Sequence, residues 1–263
     1  MVKTIKDQAL LELKNIHKLY GAVHALDGVD FKLQSGEILG LVGDNGAGKS
    51  TLIKVISGVI PYDIGKIIWN GHQTWVKDPS NALSMGIETM HQQLSLVDTM
   101  TVYENIFLGR WIIRRFIKGL VRFIDRSSMK QKAGEALDRI GISIPLEKTT
   151  IELSGGERKA IAFAATVYSK PRLLILDEPT ASLGVNECRA ILNIMKRLNQ
   201  QGLSMIFVSH NLEEIFSICD RLVIMRNGRK VAEDVINNFN AEEVVQLMLY
   251  GSKNSRGNQK IEK

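Results

Sequence analysis

The chain has 263 residues, 44% of them apolar, with 34 Lys and Arg against 28 Asp and Glu for a formal net charge of +6. That length buries a substantial core unaided, as one large domain or two closely packed lobes, and Cys188 and Cys219, without CxxC spacing, argue against a disulfide framework or zinc knuckle and for a reducing cytoplasm. With no run of about 18 uninterrupted apolar residues and no signal-peptide pattern, the chain is expected neither to cross a membrane nor to be exported; the modest positive charge decides nothing about partners.

Residues 1–8 read as a flexible start. Leu11-Glu12-Leu13 and Val29-Asp30-Phe31-Lys32-Leu33 alternate apolar and polar residues, which predicts half-buried antiparallel strands in a small β layer. Ile38 to Val42 is an unbroken apolar run of strand length, as a parallel strand buried on both faces requires. It leads directly into GDNGAGKST, residues 43–51, which fits G-x-x-x-x-G-K-[ST] with a strand before it and the helical run Thr51 to Ile56 after it. Gly43, Gly46 and Gly48 let the backbone turn tightly with its N–H groups inward, and a helix beginning near Lys49 adds the positive end of its dipole. The ligand for such a loop is a polyphosphate, held with Asn45, Ala47 and Thr51 of the same stretch. Lys49 then reaches the β and γ phosphates, and the Ser50 hydroxyl is a ligand for Mg²⁺.

Residues 101–141 carry no strand pattern and read as helical, with Gly109, Gly119 and Gly141 as punctuation, so an inserted helical subdomain over 93–169 is expected. Within it, Ile113, Phe116, Ile117, Leu120, Val121 and Ile124 fall on one helical stripe and Arg114, Arg115, Lys118 and Arg122 mostly on the other. That predicts an amphipathic helix, packed on its own domain or presented as a docking surface. Leu153-Ser154-Gly155-Gly156-Glu157 opens the helical pattern Arg158 to Thr166. Its S-x-x-E is a capping box, and exposed Ser and Gly amides at a helix start are equally a second anion site.

LLILDEPT, residues 173–180, ends an apolar strand in Asp177, a carboxylate that must reach a charge partner or solvent. Asp177 suits a Mg²⁺ shell, and Glu178 suits the water that attacks a γ phosphate. Alone, such a pair is more often a solvated turn; the upstream phosphate loop favours the functional reading. Ala190, Ile191, Ile194, Met195 and Leu198 predict an amphipathic helix stopped by Gln201-Gly202. Met205 to Val208 is a third buried strand and ends in Ser209-His210. Three polar strand ends on one edge of a parallel sheet are what a nucleotide site needs. The tail from Gly251, GSKNSRGNQKIEK, reads as disordered over 251–263.

In this order the motifs resemble those of the ATP-binding subunits of ABC transporters, from about Leu10 to Tyr250. The resemblance implies an α/β fold with a P-loop NTPase, RecA-like core over 9–92 and 170–250, a mainly parallel sheet, an N-terminal antiparallel β layer and the inserted helical subdomain. LSGGE resembles the family signature, which implies that Ser154, Gly155 and Gly156 contact the γ phosphate of ATP held by the opposite subunit of a head-to-tail homodimer. His210 matches the switch histidine, implying a catalytic role beside Glu178 and Lys49. Tyr20, in HKLYGAVHAL, resembles the aromatic residue that stacks on adenine. Gln92, in TMHQQLSL, matches the glutamine that ligates Mg²⁺, with Gln93 a one-residue alternative. His17, His24 and His72 are read as structural, and no zinc site is expected because no histidine pair has ligand spacing on a helix. Two departures stand out: Gly184 replaces the Asp usual in the loop after the strand that ends in Asp177-Glu178, and Ala165 replaces a common Arg.

MHQQLSLVDTMTVYENIFLGR and FVSHNLEEIFSICDRLVIMRNGRKV resemble the ATPases of bacterial simple-sugar importers of the ribose, xylose and fructose type. That implies a Mg²⁺-dependent ATPase at the cytoplasmic face of the membrane, energising an integral-membrane permease, with a periplasmic or lipoprotein sugar-binding protein upstream and no nucleic acid. The segment 111–124 is then expected at or near the permease contact. The alternative is a soluble ABC-type ATPase acting on ribosomes or DNA, although such chains carry two cassettes or a long coiled coil. A regulatory module that binds ATP without hydrolysis conflicts with the intact Glu178 and His210.

Overall fold

The computed structural model describes residues 6–90, 96–116 and 121–251. β1 (Lys6–Tyr20) and β2 (Val23–Ser35) pair antiparallel, with Leu11 opposite Leu33 and Leu13 opposite Phe31. The expected alternation holds there, since all four side chains are buried. β1 already begins at Lys6, inside the stretch expected to be flexible. β3 (Ile38–Gly43) is buried throughout and hands the chain to α1 (Lys49–Ile56). β4 (Ile64–Trp69) and β5 (His72–Thr74) complete an antiparallel sheet in the order β2-β1-β4-β5. α2 (Pro79–Ser84), capped by the Asp78 carboxylate, leads to β6 (Ile87–Met90).

α3 (Val102–Ile106) opens the inserted region. β7 (Ile113–Phe116) and β8 (Val121–Ile124) then form an antiparallel hairpin, which corrects the expectation of an amphipathic helix within an all-helical stretch. Ile, Val and Phe prefer strands, and a helix through Gly119 would lose about 1 kcal/mol there. Of the expected apolar stripe, Ile113 and Ile124 face solvent, as does Phe123, at 52%, 49% and 58% exposure. α4 (Arg126–Ile140) and α5 (Gly155–Tyr168) follow.

β9 (Leu173–Asp177), α6 (Val185–Gln200), β10 (Ser204–Val208), α7 (Leu212–Ile218), β11 (Arg221–Arg226), β12 (Arg229–Val235) and α8 (Ala241–Tyr250) follow. The second sheet runs β12-β11-β3-β10-β9-β6, parallel except for β12, so the three buried runs seen in the sequence are its neighbouring central strands. Alternation along each strand divides the core into two. Leu174, Leu176, Met205 and Phe207 face the helical side, while Leu173, Ile175, Ile206 and Val208 face α1 and the antiparallel sheet. On α6, Ile191, Ile194, Met195 and Leu198 are buried as expected, but Ala190 faces solvent. The fold is α/β, and it places the carboxyl ends of β3, β9 and β10 side by side.

Candidate active site

A cleft of about 570 Å³ opens at those strand ends, lined by Tyr20 and His24 from the β1–β2 hairpin, residues 45–51, Asp177, Glu178, His210 and Asn227. Two glycines of the loop are fixed by close approach. A Cβ on Gly43 would stand 2.4 Å from the Met225 carbonyl oxygen, and one on Gly48, where φ is +100°, would stand 2.7 Å from that of Ala25. The backbone therefore carries the loop where no side chain fits. Gly48 is also the N-cap of α1 and offers no side chain to cap it, so the first-turn amides are presented towards the cleft.

Lys49, buried at 8% exposure, donates to the carbonyl oxygens of Gly43 at 2.6 Å and Asp44 at 3.1 Å. Burial pushes its pKa down, while Glu178, Asp177 and Asp44 pull it back up. Across the cleft, Glu178 has a left-handed backbone, φ +52°, held by its amide on the Val208 carbonyl at 3.0 Å. That conformation turns its carboxylate to His210, whose Nε2 lies 2.6 Å from Glu178 Oε1. The Ser50 hydroxyl and the Asp177 carboxylate line the same cleft, and oxygen donors are what a hard divalent cation takes. At the outer edge Tyr20 is 50% exposed, with the Lys18 ammonium 5.7 Å from its ring centroid.

The ABC transporter family model matches residues 26–181, from β2 through the acidic strand end. This chain belongs to the ABC transporter family. It is 38% identical over 240 residues to the xylose/arabinose import ATP-binding protein of Sulfolobus acidocaldarius, covering 91% of this chain and 93% of the relative. To the ribose import ATP-binding protein of Oceanobacillus iheyensis it is 40% identical over 237 residues, covering 90% of this chain and 47% of the relative. The chain thus spans about half the length of its ribose-import relatives. Among solved structures, the ADP conformation of an ATP-binding cassette of an ABC transporter superposes with a TM-score of 0.77 at 27% identity, covering 92% of this chain and 95% of that one.

In this ABC protein the signature stands apart from the cleft. Ser154 caps α5, its hydroxyl accepting the Glu157 amide at 3.2 Å while the Glu157 carboxylate accepts the Ser154 amide at 2.9 Å, and neither Ser154, Gly155 nor Gly156 lines the cleft. Gln92 and its alternative Gln93 lie outside the described residues.

Sequence reasoning missed two carboxylates that hold the site together. Glu214, 8% exposed on α7, accepts the Thr180 hydroxyl at 2.7 Å and the Ser209 hydroxyl at 2.9 Å, tying the loop after Glu178 to the loop that carries His210. Glu187 on α6 accepts the amides of Gly156 at 3.1 Å and Gly184 at 3.0 Å, so the loop that lacks the usual Asp has a carboxylate three residues on. Both sit in first turns of helices, where an acidic residue reads as ordinary capping. The fold also gathers His17, His24 and Asp27, with ligand atoms within 4.8 Å of one another. Asp27 is engaged by Arg229 at 2.6 Å, whose hydrogen bond lowers its pKa.

Proposed function

We propose that this chain is the ATP-hydrolysing subunit that energises a membrane permease for import of a simple sugar, working at the cytoplasmic face of the membrane as a homodimer. The observation that carries this reading is the 2.6 Å contact of His210 with Glu178 at the lip of the same cleft as Lys49 and the glycine loop. Family membership supports ATP as the ligand, and the printed names of the relatives, ribose and xylose/arabinose import ATP-binding proteins, support the sugar class. They give no support to a factor acting on ribosomes or DNA. Among the described residues no helix is long and apolar enough to cross a membrane.

In this account the amides of residues 46–51 and the Lys49 ammonium hold the β and γ phosphates, and the Tyr20 ring stacks on adenine. Glu178 polarises the attacking water, and His210 fixes the orientation of that carboxylate by hydrogen bonding. Breaking the bond between the β-phosphate bridging oxygen and the γ phosphorus then yields ADP and inorganic phosphate. Ser50, Asp177 and Gln92 would hold Mg²⁺, which when bound neutralises the charge developing on the phosphate oxygens. Because Ser154, Gly155 and Gly156 stand outside the chain's own cleft, they serve the γ phosphate of a second copy. Closure of the pair on ATP and reopening after hydrolysis drives the permease between access states, and a sugar-binding protein delivers the cargo on the far side.

The test is to tag the chain in its native host, extract membranes gently and identify what co-purifies. A polytopic permease, giving ATP-driven uptake of a pentose or related sugar after reconstitution, is the expected outcome. Recovery of ribosomes or DNA in place of a permease contradicts the proposal.

A further inference from the structure

The hairpin β7–β8 is a two-stranded sheet of its own, joined to neither of the other sheets. An isolated two-stranded ribbon is marginal in water and needs an anchor. Here the anchor is at the root: Trp111 and Ile112 pack against the helical core, and the Asp125 amide donates to the Ile112 carbonyl at 2.8 Å. From that root the ribbon carries apolar side chains outwards on both of its faces. Ile113 pairs with Ile124 and Arg114 with Phe123, and cross-strand partners share a face. One face thus holds Ile113, Ile124 and Arg122, and the other holds Arg114 and Phe123, all five exposed.

The charge of this segment is as one-sided as its apolarity is two-sided. Residues 113–124 include Arg114, Arg115, Lys118 and Arg122 and no acidic residue. A groove on a protein partner asks for one apolar face. A ribbon with apolar groups on both faces, interleaved with long cationic side chains, fits a medium that surrounds it on every side and carries negative charge at its boundary. The headgroup region of an anionic bilayer is such a medium, with Phe and Ile entering the apolar boundary while Arg extends back to the phosphates.

We propose that the β7–β8 hairpin inserts its exposed Ile113, Phe123 and Ile124 into the surface of an anionic membrane, with Arg114 and Arg122 on lipid phosphates, giving the chain a lipid contact of its own beside any permease contact. This contact goes beyond the sugar-import reading and is testable without a permease.

The experiment sediments the full chain with vesicles of phosphatidylcholine alone and of phosphatidylcholine and phosphatidylglycerol mixed two to one. Two double variants accompany it, Arg114→Ser with Arg122→Ser and Phe123→Ser with Ile124→Ser. Wild type is expected on the anionic vesicles and to be released at high salt. A basic residue beside an anionic surface strengthens partitioning about fivefold, so loss of two lowers it about twenty-five-fold. Loss of the two apolar side chains is expected to lower it about a hundredfold or more. Permease-free phosphate release should be unchanged, since none of the four side chains lines the cleft. Equal partitioning onto both vesicle types overturns the proposal, as does wild-type binding by the variants. So does variant loss of permease co-purification when wild type ignores vesicles, which assigns the hairpin to a protein partner.

Discussion

Glu187 and Gly156 lie 31 positions apart in the chain and meet at 3.1 Å, where the carboxylate of α6 accepts an amide of the signature turn. Its second oxygen accepts the Gly184 amide, so one side chain fixes the signature helix to the loop after the acidic strand end. Hydrogen bonds to a charged group contribute about 1.5–3 kcal/mol each, so Glu187→Ala is expected to lower kcat by about tenfold or more. Affinity of the separated subunit for a fluorescent ATP analogue should hold to about a factor of two, because Glu187 does not line the cleft. Glu187→Gln retains one acceptor and should recover part of the loss. An unchanged kcat in the alanine variant would remove Glu187 from the positioning role.

The His210–Glu178 contact yields a sharper split between binding and turnover. General-base positioning is worth about 10²–10⁴ in rate, so Glu178→Gln and His210→Ala should each reduce phosphate release by at least about a hundredfold. Nucleotide binding, measured by calorimetry, should persist in both. Lys49→Ala should instead lose binding itself, since its ammonium lies among the carbonyls of the loop.

Glu214 is buried with two hydroxyl donors, Thr180 and Ser209. Its removal leaves both without their acceptor, so Glu214→Ala should cost about 2–3 kcal/mol in urea unfolding. The Glu178 and His210 loops then separate, and kcat should fall with stability. Glu214→Gln, which keeps an acceptor of the same size, should lose less of both.

The signature helix should loosen in acid. The Ser154 amide holds the Glu157 carboxyl below its ordinary value of 4.5. A carboxylate with a depressed folded pKa stabilises fully above the unfolded value and loses that contribution as pH falls through the folded one. The stability difference between wild type and Glu157→Gln should therefore be flat above about pH 5.5 and shrink below 4.5, in unfolding curves recorded across that range. Ser154→Ala, which removes the reciprocal cap, should cost about 1 kcal/mol throughout.

The buried strands β3, β9 and β10 were legible because each is a continuous apolar run with a polar group at its carboxyl end, and a parallel strand covered on both faces needs that composition. The phosphate loop was legible because its glycines meet backbone at Met225 and Ala25, a demand that shows in the sequence as obligatory glycine. The hairpin was not. Its apolar residues follow a helical stripe and no strand alternation, because Phe123 and Ile124 are adjacent and stand on opposite faces of the ribbon, so periodicity pointed to a helix. Glu187 and Glu214 were invisible for another reason. Their partners are loop amides and hydroxyls brought near only by the packing of α5, α6 and α7, and an acidic residue in a first helical turn is already explained locally.

In the proposed dimer each chain holds one half of an ATP site and completes the other half on a second copy. The solution mass of the purified Glu178→Gln variant, measured by light scattering with and without ATP and Mg²⁺, tests this. A monomer is expected without nucleotide or with ADP, a dimer with ATP, and no dimer when Gly155 and Gly156 are both replaced by Asp, whose negative charge repels the incoming γ phosphate. A variant that binds ATP in calorimetry yet stays monomeric would contradict that arrangement and would leave the signature as only a capped helix.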